Sequence, residues 1–288
     1  MKDLRFVFSE EPCKTNPEIG NDKQLLKLIS EFRKQCEKYE QEYSLIKNTE
    51  LQNDFKVKSS TDFPPHWAEL KQFFLEFTKN VCPVCSTELQ RDAHIDHFRN
   101  RKNYWWLAYE TDNYQILCFD CNSAYKRTDF PVQGRQIDFN SFTTKAELNK
   151  IEKPLLLNPF FDNPTDYFTL VFYEKLNTIE VIIGIDDKEC YDYDKALKTI
   201  EVYNLDDSKK DVKSNRKQLF RKRFFALQNY AKARMKFMKT KTKEDFIRYK
   251  TNEKRTKVIL SDSWIDFIKK GRFKFSLAPS VENLKRKI

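Results

Sequence analysis

The sequence Cys82-Pro83-Val84-Cys85 is the first of two Cys-x-x-Cys pairs, and Cys118-Phe119-Asp120-Cys121 is the second, with 32 residues between them. Four thiolates at this spacing can close tetrahedrally on one Zn²⁺, because each pair forms a turn that directs two sulfurs at the metal. Such a site has no open position for water, so we expect a structural zinc ion. A redox-active pair is the alternative, but two pairs bracketing one insert favour the metal site.

Cysteine usage also indicates the compartment. The chain has 7 cysteines, an odd number, and pairs of this kind in a reducing compartment are typical of metal ligation rather than disulfides. We expect Cys13, Cys36 and Cys190 to be buried or incidental thiols. The first residues lack the apolar stretch of a signal peptide, and no segment has the roughly 20 apolar residues of a membrane helix. The expectation is therefore a cytoplasmic protein with no membrane partner.

Hydrophobic periodicity predicts an α+β protein that is mainly helical. Of its 288 residues 40% are hydrophobic, which is enough for a folded core, and only 4 are glycine. The predicted organisation is an N-terminal helical segment (1–80), a central core that contains the cysteines (81–136), a strand and β-hairpin segment (137–187) and a basic helical region (188–288).

Specific elements follow from the same pattern. We predict an amphipathic helix from about Asp22 to Lys47 and a second helix after Pro64-Pro65. In the third segment, the apolar run Leu155-Leu156-Leu157 predicts a strand, and the β-branched and aromatic stretches 167–173 and 179–185 predict a hairpin. Helices are expected to continue from about 188 to 277, which confines the strands to the middle of the chain.

Charge is distributed unevenly along the chain. The net charge is +10, but residues 207–288 contain 26 Lys and Arg against 8 Asp and Glu, whereas the first 206 residues contain 27 against 35. A basic segment of this kind attracts polyanions through phosphate contacts and counterion release. A solvated helical face is the alternative interpretation.

Four polar residues lie between and beside the cysteine pairs: Asp96-His97, Asn113, and Asn122 directly after Cys121. An ordinary imidazole titrates near pH 6.5, so His97 can accept a proton at neutral pH. Successive strand residues point to opposite faces, so Asp96 and His97 share a site only if their strand twists or ends there.

The combination resembles the HNH endonucleases, which hydrolyse phosphodiester bonds and whose ββα-metal fold holds one catalytic cation and is often braced by a zinc ion. Such hydrolysis needs a base to activate water and a Lewis acid to stabilise the charge that develops on the phosphate and the leaving oxygen. The likeness extends from Cys82 to Lys126. It implies that His97 takes a proton from water, that Asp96 and Asn122 hold Mg²⁺ or Mn²⁺, and that Asn113 fixes the loop that orients the histidine. Oxygen ligands suit those hard cations.

A short helix is expected from Asn122 to Arg127, and its amino end would favour an anionic phosphate. Lys126 and Arg127 are candidates for contacts to neighbouring phosphates, or for a solvated helix face. His94 shares the face parity of Asp96, so it either assists the metal or packs. His66 has no partner in the sequence and is expected to be structural.

Three stretches make the chain similar to the PtuB-like nucleases of Septu and retron-associated anti-phage systems: His94–Arg99, 106–118, and the Leu155-Leu156-Leu157-Asn158-Pro159 run that continues to Pro164. The resemblance implies a PtuA-like partner, an ABC-type or SMC-like ATPase that restrains or directs the nuclease. Where that branch has Pro-Lys, this chain has Asn100-Arg101-Lys102, which predicts a looser loop.

The leading hypothesis is thus a zinc-braced, metal-dependent HNH endonuclease that acts in phage defence with an ATPase. DNA is the expected substrate, and RNA remains open. Two alternatives stand beside it: a non-catalytic zinc module that binds nucleic acid or a partner, and a stand-alone HNH enzyme of the restriction type.

Overall fold

A computed structural model describes residues 4–5, 7–11, 22–47, 66–89, 93–138, 144–206, 216–260 and 264–276. The structure is 54% helical with small sheets, which confirms the prediction of a mainly helical α+β protein. No helix in these ranges combines the length and the apolar character needed to cross a membrane. The expectations for the Cys13 thiol and the His66 side chain lie outside the described residues.

The described residues form two compact units. The first contains the described residues up to Val84, from residue 4, together with Glu88–Asp162, and the second contains Cys85–Thr87 together with the described residues from Asn163 onward. The four-segment division drawn from the sequence stays a prediction.

Two helices in the first unit confirm the periodicity of the N-terminal segment. Helix α1 spans Lys23–Lys47, and a 3₁₀ turn at His66–Leu70 leads into α2, Lys71–Thr78. Phe32 of α1 is fully buried, and its ring lies 5.2 to 5.5 Å from the rings of Phe73, Phe74 and Phe77. Burial of aromatic rings on one stripe of each helix therefore holds the two together.

A two-stranded antiparallel sheet follows the first cysteine pair. Strand β1 is His94–His97 and strand β2 is Tyr114–Leu117, and His97 lies opposite Tyr114 in the register. The next element is a π-helix, Asp120–Lys126. It begins two residues before the expected start at Asn122, because the turn of the second cysteine pair is already helical. The order of strand, strand and helix is the one that the ββα prediction requires, and assignment to the HNH fold stays a prediction.

The predicted strand at Leu155–Leu157 is wrong. Helix α3, Lys145–Glu152, starts with a capping box between Thr144 and Glu147 and is followed by a buried loop. The loop makes one isolated antiparallel bridge, between Val132 and Pro154. Three consecutive apolar residues indicate burial, but they carry no period that separates a strand from a buried loop.

The second unit has a three-stranded sheet with helices beside it. The predicted hairpin is confirmed as β3, Phe168–Tyr173, paired antiparallel with β4, Thr178–Ile183. The helices are α4, Pro164–Tyr167; α5, Tyr191–Tyr203; α6, Arg216–Thr240; α7, Lys243–Leu260; and α8, Trp264–Lys269.

The end of the second unit differs from the expectation of continuous helix. Strand β5, Phe273–Ser276, pairs in parallel with β3, and the Phe275 ring lies 5.1 Å from the ring of Phe172. Gly271 precedes the strand with φ +72°, a left-handed conformation that glycine adopts without strain. The chain leaves α8 at this glycine and joins the sheet edge.

Candidate active site and metal centre

Four cysteines lie close together and could hold a zinc ion. The sulfurs of Cys82, Cys85, Cys118 and Cys121 are all within 4.8 Å of one another. A zinc ion with four thiolates at about 2.3 Å requires sulfurs about 3.8 Å apart, so the donor set fits. Among the His, Cys, Asp and Glu side chains of the described ranges, this is the only group of three or more with a geometry for a metal.

The His97 ring is buried at the end of β1, with only 6% of the residue exposed. Its Nε2 lies 2.9 Å from the carbonyl oxygen of Ala108. A carbonyl only accepts hydrogen bonds, so Nε2 carries the proton of the neutral ring and Nδ1 keeps the lone pair. The rings of Trp67 and Tyr114 contact the imidazole edge-on, at centroid distances of 4.9 and 5.1 Å. These contacts fix both the tautomer and the orientation of the ring.

Burial is the main cause that lowers the pKa of His97 to about 3; the positive charges of Arg101 and Lys126 act in the same direction, and the hydrogen bond to Ala108 opposes the shift. The ring is therefore neutral at physiological pH. Its Nδ1 can accept a proton, although the two charged side chains that shift its pKa, Arg101 and Lys126, are both cationic and disfavour the imidazolium.

Asp96 is held in a buried ion pair. Its Oδ2 is 2.9 Å from Nζ of Lys126 and accepts a hydrogen bond from Nε2 of Gln115, also at 2.9 Å. The Lys126 ammonium is fully buried and donates a second hydrogen bond to the backbone oxygen of His97. Within the described part of the chain, Asp96 Oδ1 makes no hydrogen bond and no hydrogen bond joins Asp96 to the His97 ring.

Asn113 ties down the backbone that follows the histidine. Its Oδ1 accepts a hydrogen bond from the backbone N–H of Arg99 at 2.8 Å, and its Nδ2 donates to the backbone oxygens of Arg99 and Leu107, each at 3.1 Å. The Asn113 backbone oxygen also accepts from the N–H of Phe98 at 2.7 Å. One side chain thus links the end of β1 to the segment that carries Ala108, the partner of His97.

The structure corrects the expectation for Lys126. A fully buried ammonium that is engaged with Asp96 and the His97 backbone is not available to a phosphate at the surface.

Arg127, the next residue, is exposed and remains a candidate contact. Asn122 is partly exposed on the same π-helix, and its side chain makes no hydrogen bond among the described residues. His94 is exposed at the start of β1.

Three residues at the site were missed in the sequence. Trp67 covers the His97 ring, and the exposed Arg101 places its guanidinium 4.8 Å from the Trp67 ring centroid. Asn100 holds the loop instead of loosening it: its Nδ2 donates to the Thr128 backbone oxygen at 2.8 Å, and its Oδ1 accepts from the N–H of Asn103 at 2.9 Å. The substitution of Asn for Pro was the available signal, since a proline makes neither bond.

Comparison with known proteins gives one relevant similarity. A stretch of 151 residues is 26% identical to the Septu protein PtuB of Bacillus mycoides (strain KBAB4), covering 47% of this chain and 46% of that protein. The chain therefore spans about half the length of the curated relative that it matches. No protein family model matches the chain, and no solved structure does. The similarity supports a PtuB-like relationship.

Proposed function

We propose that this chain is a metal-dependent endonuclease of the HNH type that hydrolyses phosphodiester bonds, with DNA as its substrate. The observation that carries the proposal is the neutral, oriented imidazole of His97, which follows the buried carboxylate residue Asp96 on β1. The similarity to a Septu protein supports a role in anti-phage defence.

His97 is the general base in this proposal. The Ala108 carbonyl holds Nε2–H, so Nδ1 is the atom that takes a proton from the attacking water. Entry of a scissile phosphate brings negative charge to the ring, which stabilises the imidazolium and raises its basicity at the moment of reaction. The site thus keeps the ring unprotonated at rest and makes it a stronger base with substrate bound.

Asp96 and Asn122 would hold a Mg²⁺ or Mn²⁺ ion. The Oδ1 atom of Asp96 makes no hydrogen bond within the described residues, and the Asn122 amide likewise keeps its oxygen available, so each residue offers a hard oxygen donor of the kind that such a cation prefers. When bound, the ion supplies Lewis-acid stabilisation of the charge on the phosphate. Lys126 then positions Asp96, and Arg127 and Arg101 contact phosphates at the surface.

The four cysteines hold a structural Zn²⁺ in this proposal. A full set of thiolates leaves no open coordination position, so the ion braces the segment between the two cysteine pairs and takes no part in hydrolysis. A Septu-type system also implies an ATPase partner of the PtuA kind, which would restrain an enzyme that is hazardous to its own cell.

The test is cleavage of plasmid DNA and of total cellular RNA by the purified chain, alone and with an ATPase encoded beside it, in Mg²⁺ and in EDTA. We expect metal-dependent cutting that His97→Ala abolishes. His94→Ala on the same strand addresses the alternative that the sequence left open, because full activity would exclude a part for His94 in metal binding. Cutting that survives His97→Ala would refute the assignment, and nucleic-acid binding without any cutting would favour the non-catalytic module.

A further inference from the structure

Helices α6 and α7 form an antiparallel pair in the second unit. The Tyr230 and Tyr249 rings stack at 5.4 Å with planes 6° apart, and the Phe237 ring lies 5.2 Å from that of Phe246. The Thr256 hydroxyl lies 3.4 Å from the Ala226 backbone oxygen at the other end of the pair. These contacts fix the spacing between the two helices along their length.

A groove of about 500 Å³ runs between the two helices. Its lining contains four cations and no acidic side chain. The lining residues are Asn229, Lys232, Ala233, Lys236, Arg248, Thr251, Asn252 and Arg255. Two polar amides and a hydroxyl add further hydrogen-bond donors to this lining.

The four cations of the groove differ in whether an acidic side chain already pairs with them. Lys232 pairs with Glu174 at 2.7 Å, and Lys236 pairs with Asp245 at 2.9 Å. Arg248 and Arg255 are exposed and make no ion pair among the described residues. The groove therefore retains two uncompensated guanidinium groups, the side chains best suited to paired contacts with phosphate oxygens.

The spacing of these two arginines indicates the class of ligand. Arg248 and Arg255 are seven residues apart, so they lie on one face of α7 about 10 Å apart along its axis. A chain of repeated phosphates can contact both guanidinium groups without drawing the two side chains together at one point. The excess of 26 Lys and Arg over 8 Asp and Glu from residue 207 onward adds long-range attraction for a polyanion.

We infer that the groove between α6 and α7 binds the phosphate backbone of a nucleic acid, with Arg248 and Arg255 as its principal contacts. This choice of polyanion rests on the proposed nuclease function. Contacts to phosphates do not distinguish one base from another, so the groove supplies affinity that is independent of the nucleic-acid sequence. This affinity is separate from the contribution of the residues that are proposed to carry out hydrolysis.

The experiment measures binding of the full chain to a fluorescent duplex and to a single strand of the same sequence, in EDTA and over a range of salt concentrations. The test variant is Arg248→Gln with Arg255→Gln. At about 0.1 M salt we expect affinity to fall about tenfold for each arginine that no longer binds a phosphate, and the slope of log K against log salt to decrease by about 1 per arginine. The stronger of the two probes identifies the strandedness of the ligand.

The matched control is Arg221→Gln with Lys254→Gln, which removes the same charge from exposed positions of α6 and α7 outside the groove. Equal losses of affinity in the two double variants would overturn the proposed binding site in the groove, because diffuse charge alone would then explain binding. An absence of binding by the unmodified chain would overturn it as well. Cleavage tests the proposed function separately. A protein that binds through the groove and never cuts refutes the nuclease and leaves the groove intact.

Discussion

The ammonium of Lys126 lies 2.9 Å from Oδ2 of Asp96, with the two side chains 0% and 9% exposed. The same ammonium donates to the backbone oxygen of His97. One buried cation on the π-helix therefore fixes both the carboxylate and the backbone of the Asp-His pair on β1. This arrangement gives the lysine a positioning part at the candidate site.

Replacing Lys126 by Met should destabilise the protein strongly, because it leaves the Asp96 carboxylate buried and unpaired. We expect a loss of about 3–5 kcal/mol in the free energy of unfolding, measured by urea denaturation. Asp96→Asn combined with Lys126→Met should recover much of that loss, since the buried charge is then gone.

The control for this pair is Lys198→Met, which removes the cation of a surface ion pair with Glu201. Its two side chains are 43% and 47% exposed, and exposed pairs contribute about 0–1 kcal/mol. Equal losses for Lys126→Met and Lys198→Met would mean that the Asp96 pair is not held in a buried environment.

The lowered pKa of His97 predicts the pH dependence of cleavage. In the free protein the lowered pKa means that the ring protonates only as the pH falls towards about 3, whereas an ordinary histidine has a pKa near 6.5. Because kcat/KM reports the groups of the free enzyme, we expect no loss through this base between about pH 7.5 and about pH 5.5. An ordinary histidine would lose about tenfold over that interval.

The variant Trp67→Ala provides a pH profile to compare with that of the unmodified chain. Removing the indole exposes the His97 ring to water, which weakens the burial that lowers its pKa. The variant should then lose kcat/KM as the pH drops below about 6.5, while the unmodified chain does not. Identical profiles for the two proteins would contradict the assignment of burial as the cause.

Local patterns predicted the elements that local patterns determine. The stripe around Phe32 predicted α1, the cysteine spacing predicted the four-sulfur cluster, and the β-branched stretches predicted the hairpin of β3 and β4. Each of these depends on residues close together in the sequence, or on a spacing of thiols that is typical of metal sites.

Features that depend on distant partners were not predictable. Strand β5 forms because β3 offers an edge about 100 residues earlier, and the alternation of its four residues is too short to predict a strand after a long helical segment. Lys126 is buried because Asp96 compensates its charge, and a lysine near a helix end otherwise indicates solvent. Trp67 contacts His97 only through the packing of the folded chain, so no spacing of residues in the sequence predicts the contact.

Asn113 offers a test of loop positioning. Asn113→Asp has nearly the same shape but replaces an N–H donor by a carboxylate oxygen that faces the backbone oxygens of Arg99 and Leu107. We expect a stability loss of about 1–3 kcal/mol and a fall in cleavage. Asn113→Ala should be comparable or milder in stability, because it removes the same bonds without adding a negative charge. A fully active Asn113→Asp would show that the loop needs no such anchor.

The four cysteines predict one tightly bound zinc per chain, measured by elemental analysis after dialysis against a weak chelator. Cys82→Ser should release the metal and lower the unfolding midpoint, because three thiolates bind zinc less tightly and the folding energy of a structural site is its binding energy. The matched control is Cys190→Ser, a partly exposed free thiol outside the cluster. It should keep one zinc ion and an unchanged midpoint. Zinc loss in both variants, or in neither, would contradict a closed site of these four sulfurs.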